Sequence, residues 1–320
     1  MKRIVQKHDF AKKYVISYML VAALLFLLIC LLTKPAVSIS GARTGLMLWA
    51  TRLLPSLLPF LILVQLLIHS GSLDLFVEKL HISYAYFVLI AGMFFGFPMG
   101  CKLTVDLYAL GKLNKKEVAL LFIISNQMSP AFVGGYILTE TLKEPKLIPV
   151  SYLILYLPSL LFGVVYLHFF ATKRFCPSLR PDKIKKSTSG LRFDVTILDA
   201  GIMNSFETML KLGGYIMLFS VLTALCNYYL ANMPFLLTFI AGLLEITGAV
   251  SILNQNILQM PFKYIAILAA TSFGGLSGIA QTASFLHHQK QPSPFSMSAY
   301  FLGRLLLAFI TAILAAVYVC

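Results

Sequence analysis

Charged side chains inside otherwise apolar runs are the first candidates for chemistry: Arg52, Lys102, Asp106, Glu207, Lys211, Glu245 and Arg304. A charge at membrane depth is costly, so each is a functional hypothesis by default. Lys102 follows Gly100 by two residues, where a restarting helix would expose free N–H groups. A helix N-terminus beside a lysine suits an anion, whereas the competing reading pairs Lys102 with Asp106 at i,i+4 on one helix face. Glu207 and Lys211 have the same spacing in the favoured order, which points to a structural ion pair. Glu245 stands in GLLEITGAV (242–250) with no basic residue near it in sequence. It suits proton coupling, cation binding or a hydrogen bond between halves of the molecule, and Asp106 is a second candidate for ion coupling. Arg304 lies about a third of the way along the last apolar run, where it either snorkels or binds an anion. The amides Asn126, Gln127 and Gln281, with Ser277 and Thr282, fall at helix interruptions. There they bind solute or satisfy freed backbone groups.

Other chemistries find little support. Cys30, Cys101, Cys176, Cys226 and Cys320 show no C-x-x-C spacing, which argues against zinc and redox work. His287 and His288 are adjacent and would point in different directions on a helix. Gly100-Cys101-Lys102 lacks the frame of a nucleotide-hydrolysing loop. No nucleophile elbow, H-E-x-x-H or catalytic carboxylate pair is present, so the expectation is a non-enzyme without metal or cofactor.

The elements that must position these residues follow from composition. The 320 residues are 59% hydrophobic and 12% charged, with a mean hydropathy of +0.85. Soluble domains carry about 25% charged residues, so a polytopic all-α membrane protein is expected. The net charge of +14 could suggest nucleic acid, but its placement fits topology instead. Lys2, Arg3, Lys7, Lys12 and Lys13 precede the first apolar run. Lys173, Arg174, Arg180, Lys183, Lys185, Lys186 and Arg192 fill the one long polar stretch. Both read as cytoplasmic under the positive-inside rule, and no interleaved aromatics make a nucleic-acid surface.

Apolar segments read as Tyr14 to Leu32, retained as an anchor, then 45–68, 85–108, 119–138, 149–171, 197–229, 234–253, 263–286 and 296–319. This gives about eight or nine segments. The division is a tail and anchor (1–38), a first repeat (39–173), a basic cytoplasmic loop (174–195) and a second repeat (196–320). If tail and loop share a side, the crossings between them are even in number, so one segment must enter and leave on the same side. The best suspect is 85–108, broken by Gly96, Pro98 and Gly100; the runner-up is 119–138, broken at 126–130. Phe95-Gly96-Phe97-Pro98-Met99-Gly100 and Phe273-Gly274-Gly275-Leu276-Ser277-Gly278 share Phe-Gly-x-x-x-Gly, and the match extends to Thr104 and Thr282. Paired interrupted segments in corresponding positions point to a transporter's midplane site, although small-residue spacing also simply packs helices.

The stretches LLPSLLPFLIL (53–63), FGFPMGCKLTVDLYALGKLNKKEVALL (95–121), GLLEITGAV and FGGLSGIAQTASFL (273–286) resemble membrane proteins with the nucleoside-recognition, or Gate, domain. Within them the sequence is most similar to the YlbJ group of sporulation integral membrane proteins. Phe97 stands where Tyr is usual, and Ser129-Pro130 where Gly-Pro is. The resemblance implies a multi-pass protein of spore-forming bacteria, in the cell membrane or outer forespore membrane, associated with moving dipicolinate. The expected function is transport of a small anionic or nucleoside-like solute, and the alternative is a scaffold or recruitment factor for spore-envelope proteins. Lys102 and Arg304 would neutralise carboxylate, with Asn126, Gln127, Ser277 and Gln281 completing the binding set. The expected partners are the solute, the bilayer, and a second copy or spore-envelope proteins.

Overall fold

The computed structural model describes residues 24–170, 194–255, 259–286 and 296–319, with 18, 21 and 22. Within them 88% is helix and there is no strand. The helices are α1 (Leu24–Thr33), α2 (Pro35–His69), α3 (Ser72–Lys79), α4 (Tyr84–Phe95), α5 (Met99–Ala109), α6 (Lys115–Ile124) and α7 (Phe132–Thr141). After them come α8 (Ile148–Phe170), α9 (Val195–Tyr229), α10 (Pro234–Leu244), α11 (Ile246–Gln255), α12 (Met260–Phe273), α13 (Gly275–Leu286) and α14 (Met297–Val319). The basic loop up to residue 193 and His287-His288 lie outside the described residues.

Among the described residues, five stretches are long and apolar enough to cross a membrane: Pro35–His69, Pro145–Phe169, Val195–Tyr229, Met260–Leu286 and Met297–Val319. A sixth exists if α3 and α4, bent by 105°, count as one. The protein is a multi-pass integral membrane protein. Of the nine expected segments, 85–108, 119–138 and 234–253 are each broken into halves, and the first lies partly outside the described residues. An 11-residue helix such as α5 is about 16 Å long, against about 30 Å of hydrocarbon.

The longest contact joins α2 to α9, which run antiparallel. Small residues let the backbones approach: Gly41 lies on Val221 and Ala224, and Gly45 on Met217 and Ser220. Farther along, the Trp49 indole covers Gly213 and donates from Nε1 to the Met209 carbonyl at 2.8 Å.

Residues 84–109 fold back on themselves. Gly96 ends α4 at φ +80°, a conformation glycine adopts readily, and α5 returns along α4. A Cβ on Gly92 would lie 2.8 Å from the Gly100 Cα, impossible for residues eight apart on one straight helix. This hairpin rests on the end of α6 through three glycines, Gly92 and Gly100 against Ser125 and Gly96 against Ser129. A second fold-back pairs α10 with α11 about Glu245, whose extended backbone (φ −155°, ψ 135°) separates them. Leu237 and Ala241 share an apolar cluster with Ile252 there. Gly274 and Gly275, at φ +82° and +73°, interrupt α12–α13 without reversing it. The two Phe-Gly-x-x-x-Gly stretches therefore serve different geometries, a hairpin tip and a break in a through-running helix. The packing interlocks the hairpins with the broken helices: α5 touches α6 and α13, while α11 touches α12 and α7.

Candidate functional site

Four helix interruptions converge on one cavity of about 220 Å³. Phe97 reaches it from the first hairpin tip, and Met128 and Ser129 from the break between α6 and α7. Glu245, Ile246 and Thr247 come from the second hairpin, and Gly274, Ser277, Gly278 and Gln281 from the α12–α13 break. The long helices supply apolar wall, including Leu53 and Leu57 of α2 and Leu212 and Ile216 of α9. Phe97 and Gly278 face each other: a Cβ on Gly278 would meet the Phe97 ring at 3.5 Å.

Polar groups at the cavity are few and placed by the breaks. Glu245 is 4% exposed; its Oε2 accepts from the Thr247 hydroxyl and, at 2.8 Å, from the Gly248 N–H. It thus caps the start of α11, satisfying donors that a helix N-terminus leaves free. Gln281 Nε2 donates to Ser277 Oγ at 2.8 Å, and its Oε1 has no partner. Arg52 stands at the wall with its guanidinium 2.5 Å from Glu140 of α7.

Other candidates from the sequence lie outside the lining. Lys102 Nζ is 2.8 Å from both Asp106 oxygens, and Gln65 of α2 donates to Asp106 Oδ2 at 2.9 Å. Asn126 Nδ2 donates to Thr282 Oγ1 (3.1 Å) and Tyr300 OH (2.9 Å), joining the α6 break to α13 and α14. Its Oδ1 has no partner. Gln127 donates to Ser159 Oγ at 2.8 Å. The carbonyls freed by this break accept from tyrosines of α8: Met128 from Tyr156 at 2.8 Å and Pro130 from Tyr152 at 2.7 Å. Arg304, 1% exposed, donates from Nε to the Phe273 carbonyl at 3.2 Å. Glu207 and Lys211 form their i,i+4 pair at 2.5 Å. Pro98, Gly100 and Gly275 shape the breaks from outside the lining; Gly275 abuts Glu245. No group of three potential metal ligands occurs among the described residues.

The sequence did not single out Phe132, Tyr136 or Glu140. Aromatic wall residues carry no distinguishing spacing, and Glu140 sits beyond the end of the apolar run that drew attention.

Comparison with known proteins adds one likeness. The chain is similar to the sporulation integral membrane protein YlbJ of Bacillus subtilis. The two are 27% identical over 331 aligned positions, covering 91% of this chain and 80% of that protein. This supports the YlbJ group and a sporulation-associated membrane protein. No family model matches the chain, and no solved structure matches it.

Proposed function

We propose that the chain is a transporter or facilitator of a small anionic or nucleoside-like solute, working by alternating access around the cavity. The observation that carries this reading is the convergence of Phe97, Ser129, Glu245 and Gly274, one from each interruption, on a single cavity. Irregular backbone at membrane depth is tolerated where it is buried in protein or lines a wet cavity. A volume of about 220 Å³ suits a solute smaller than a drug-sized ligand, whose pockets start at about 300 Å³. A scaffold has no need of such a space.

The order of elements supports two inverted repeats. Each half has a 35-residue helix (α2, α9), a hairpin (α4–α5, α10–α11), a broken helix (α6–α7, α12–α13) and a 23-residue helix (α8, α14). The antiparallel course of α2 and α9 fits inversion. This order pairs the Gly96 turn with Glu245 and the 125–130 break with Gly274, and replaces the pairing suggested by the shared motif. Glu245 is the candidate for coupling a cation, and the transport needs no cofactor or catalytic group.

Dipicolinate is the first solute to test, with the outer forespore membrane as the setting. Protein in lipid vesicles should accelerate dipicolinate or nucleoside flux, and expression should restore dipicolinate in a spore-former lacking the related protein. Vesicles with correctly folded protein that pass neither solute class would refute the reading.

A further inference from the structure

We propose that Arg304 and the first turn of α13 form the anion-recognition end of the cavity, and that the ligand presents a carboxylate there. The inference rests on the transport reading and specifies its solute class. Arg304 is the largest side chain among the fully buried residues. Its Nη1 has no hydrogen-bond partner, and no Asp or Glu among the described residues forms an ion pair with it. An uncompensated buried charge is expensive, so the site is complete only when an anion arrives. The other two cations near the breaks are already matched, Arg52 by Glu140 and Lys102 by Asp106.

The guanidinium lies directly behind the cavity wall. Gly274 lines the cavity, and a Cβ on it would stand 3.3 Å from Nη2. From the same place α13 begins, with Ser277 and Gly278 of its first turn in the lining. First-turn N–H groups lack intrahelical partners and carry the positive end of the helix dipole. The two hairpin-facing helix starts differ in one respect. At α11 the protein supplies a carboxylate of its own, Glu245, to the free N–H groups. The first turn of α13 contains no acidic residue and has the unpaired arginine beside it. A ligand carboxylate at α13 would be the counterpart of Glu245 at α11, and the planar guanidinium fork matches it.

The test uses purified full-length protein in lipid nanodiscs, with benzoate and isophthalate against their neutral amides, and uridine flux as a separate readout. The acids should bind roughly 10- to 100-fold more tightly than the amides, the span of one charge-assisted hydrogen-bonded contact. Arg304→Gln should bring acid and amide to within about threefold, whereas Lys116→Gln, at the exposed start of α6, should leave the ratio unchanged. Should Arg304→Gln not fold, Arg304→Lys, which keeps the charge without the fork, should lower acid affinity roughly tenfold. Equal binding of acids and amides by the wild type, or a ratio that survives either Arg304 variant, overturns the proposal. Uridine flux without acid binding overturns the anion site and leaves transport standing; absence of both removes transport as well.

Discussion

Gly100 shows how tightly single residues are specified. A Cβ there would lie 2.0 Å from the Ser125 carbonyl oxygen, and backbone cannot step aside as a flexible side chain would. Gly100→Ala should therefore cost about 1–3 kcal/mol, the range of core overpacking, seen as a lower melting temperature in detergent. Gly214 is the control, because a Cβ at this position in α9 meets nothing within 4 Å. Gly214→Ala should hold or raise the melting temperature by removing about 0.5–1 kcal/mol of helix penalty. Equal melting of the two variants would contradict the packing of the hairpin on Ser125. The same scale shows what sequence leaves open. Lys102 had two readings from its neighbours alone, and the pairing with Asp106 is backed by Gln65, a residue of another helix. No local spacing announces that third partner.

At the scale of elements, the interruptions were legible and their geometry was not. Gly96, Pro98, Asn126 to Pro130 and Gly274 all stand out as breaks in apolar runs, and each break sends at least one residue (Phe97, Met128 and Ser129, Gly274) to the cavity. Hydropathy averages over a window, so it cannot tell a fold-back from a crossing; 234–253 read as one span and is a hairpin at Glu245. The shared Phe-Gly-x-x-x-Gly takes two geometries for a related reason. Glycine permits positive φ both at a reversing tip and inside a continuing helix, so one local pattern serves two folds. The α6–α7 break also depends on α8, whose Tyr156 hydroxyl satisfies the Met128 carbonyl. Tyr156→Phe leaves that carbonyl unpaired beside the cavity and should cost about 1–3 kcal/mol of stability, the penalty for an unsatisfied buried group. Chemical denaturation should show the loss, and a midpoint within error of wild type would mean the break is held by other means.

For the whole molecule, composition alone gave the membrane class, and the remaining question is which parts move. The α2–α9 pair is joined by Gly41, Gly45 and the Trp49 indole seated on Gly213, a close contact that resists sliding. The first hairpin meets α13 by side chains instead, with Phe97 over Gly278 at its tip and Cys101 and Val105 of α5 in an apolar cluster with Phe285. Packed surfaces shift between discrete arrangements, and the side-chain contact at Phe97, which borders the cavity, is the one to open. Because Trp49 is the only tryptophan in the chain, intrinsic fluorescence reports on the α2–α9 crossing by itself. Saturating solute should leave the emission maximum of Trp49 unchanged. In a chain whose five native cysteines are replaced by alanine, Phe97→Cys should show a solute-dependent change in thiol-labelling rate. The opposite pattern, a Trp49 shift with constant Phe97→Cys labelling, would place the moving boundary between α2 and α9 and refute rocking about a fixed pair.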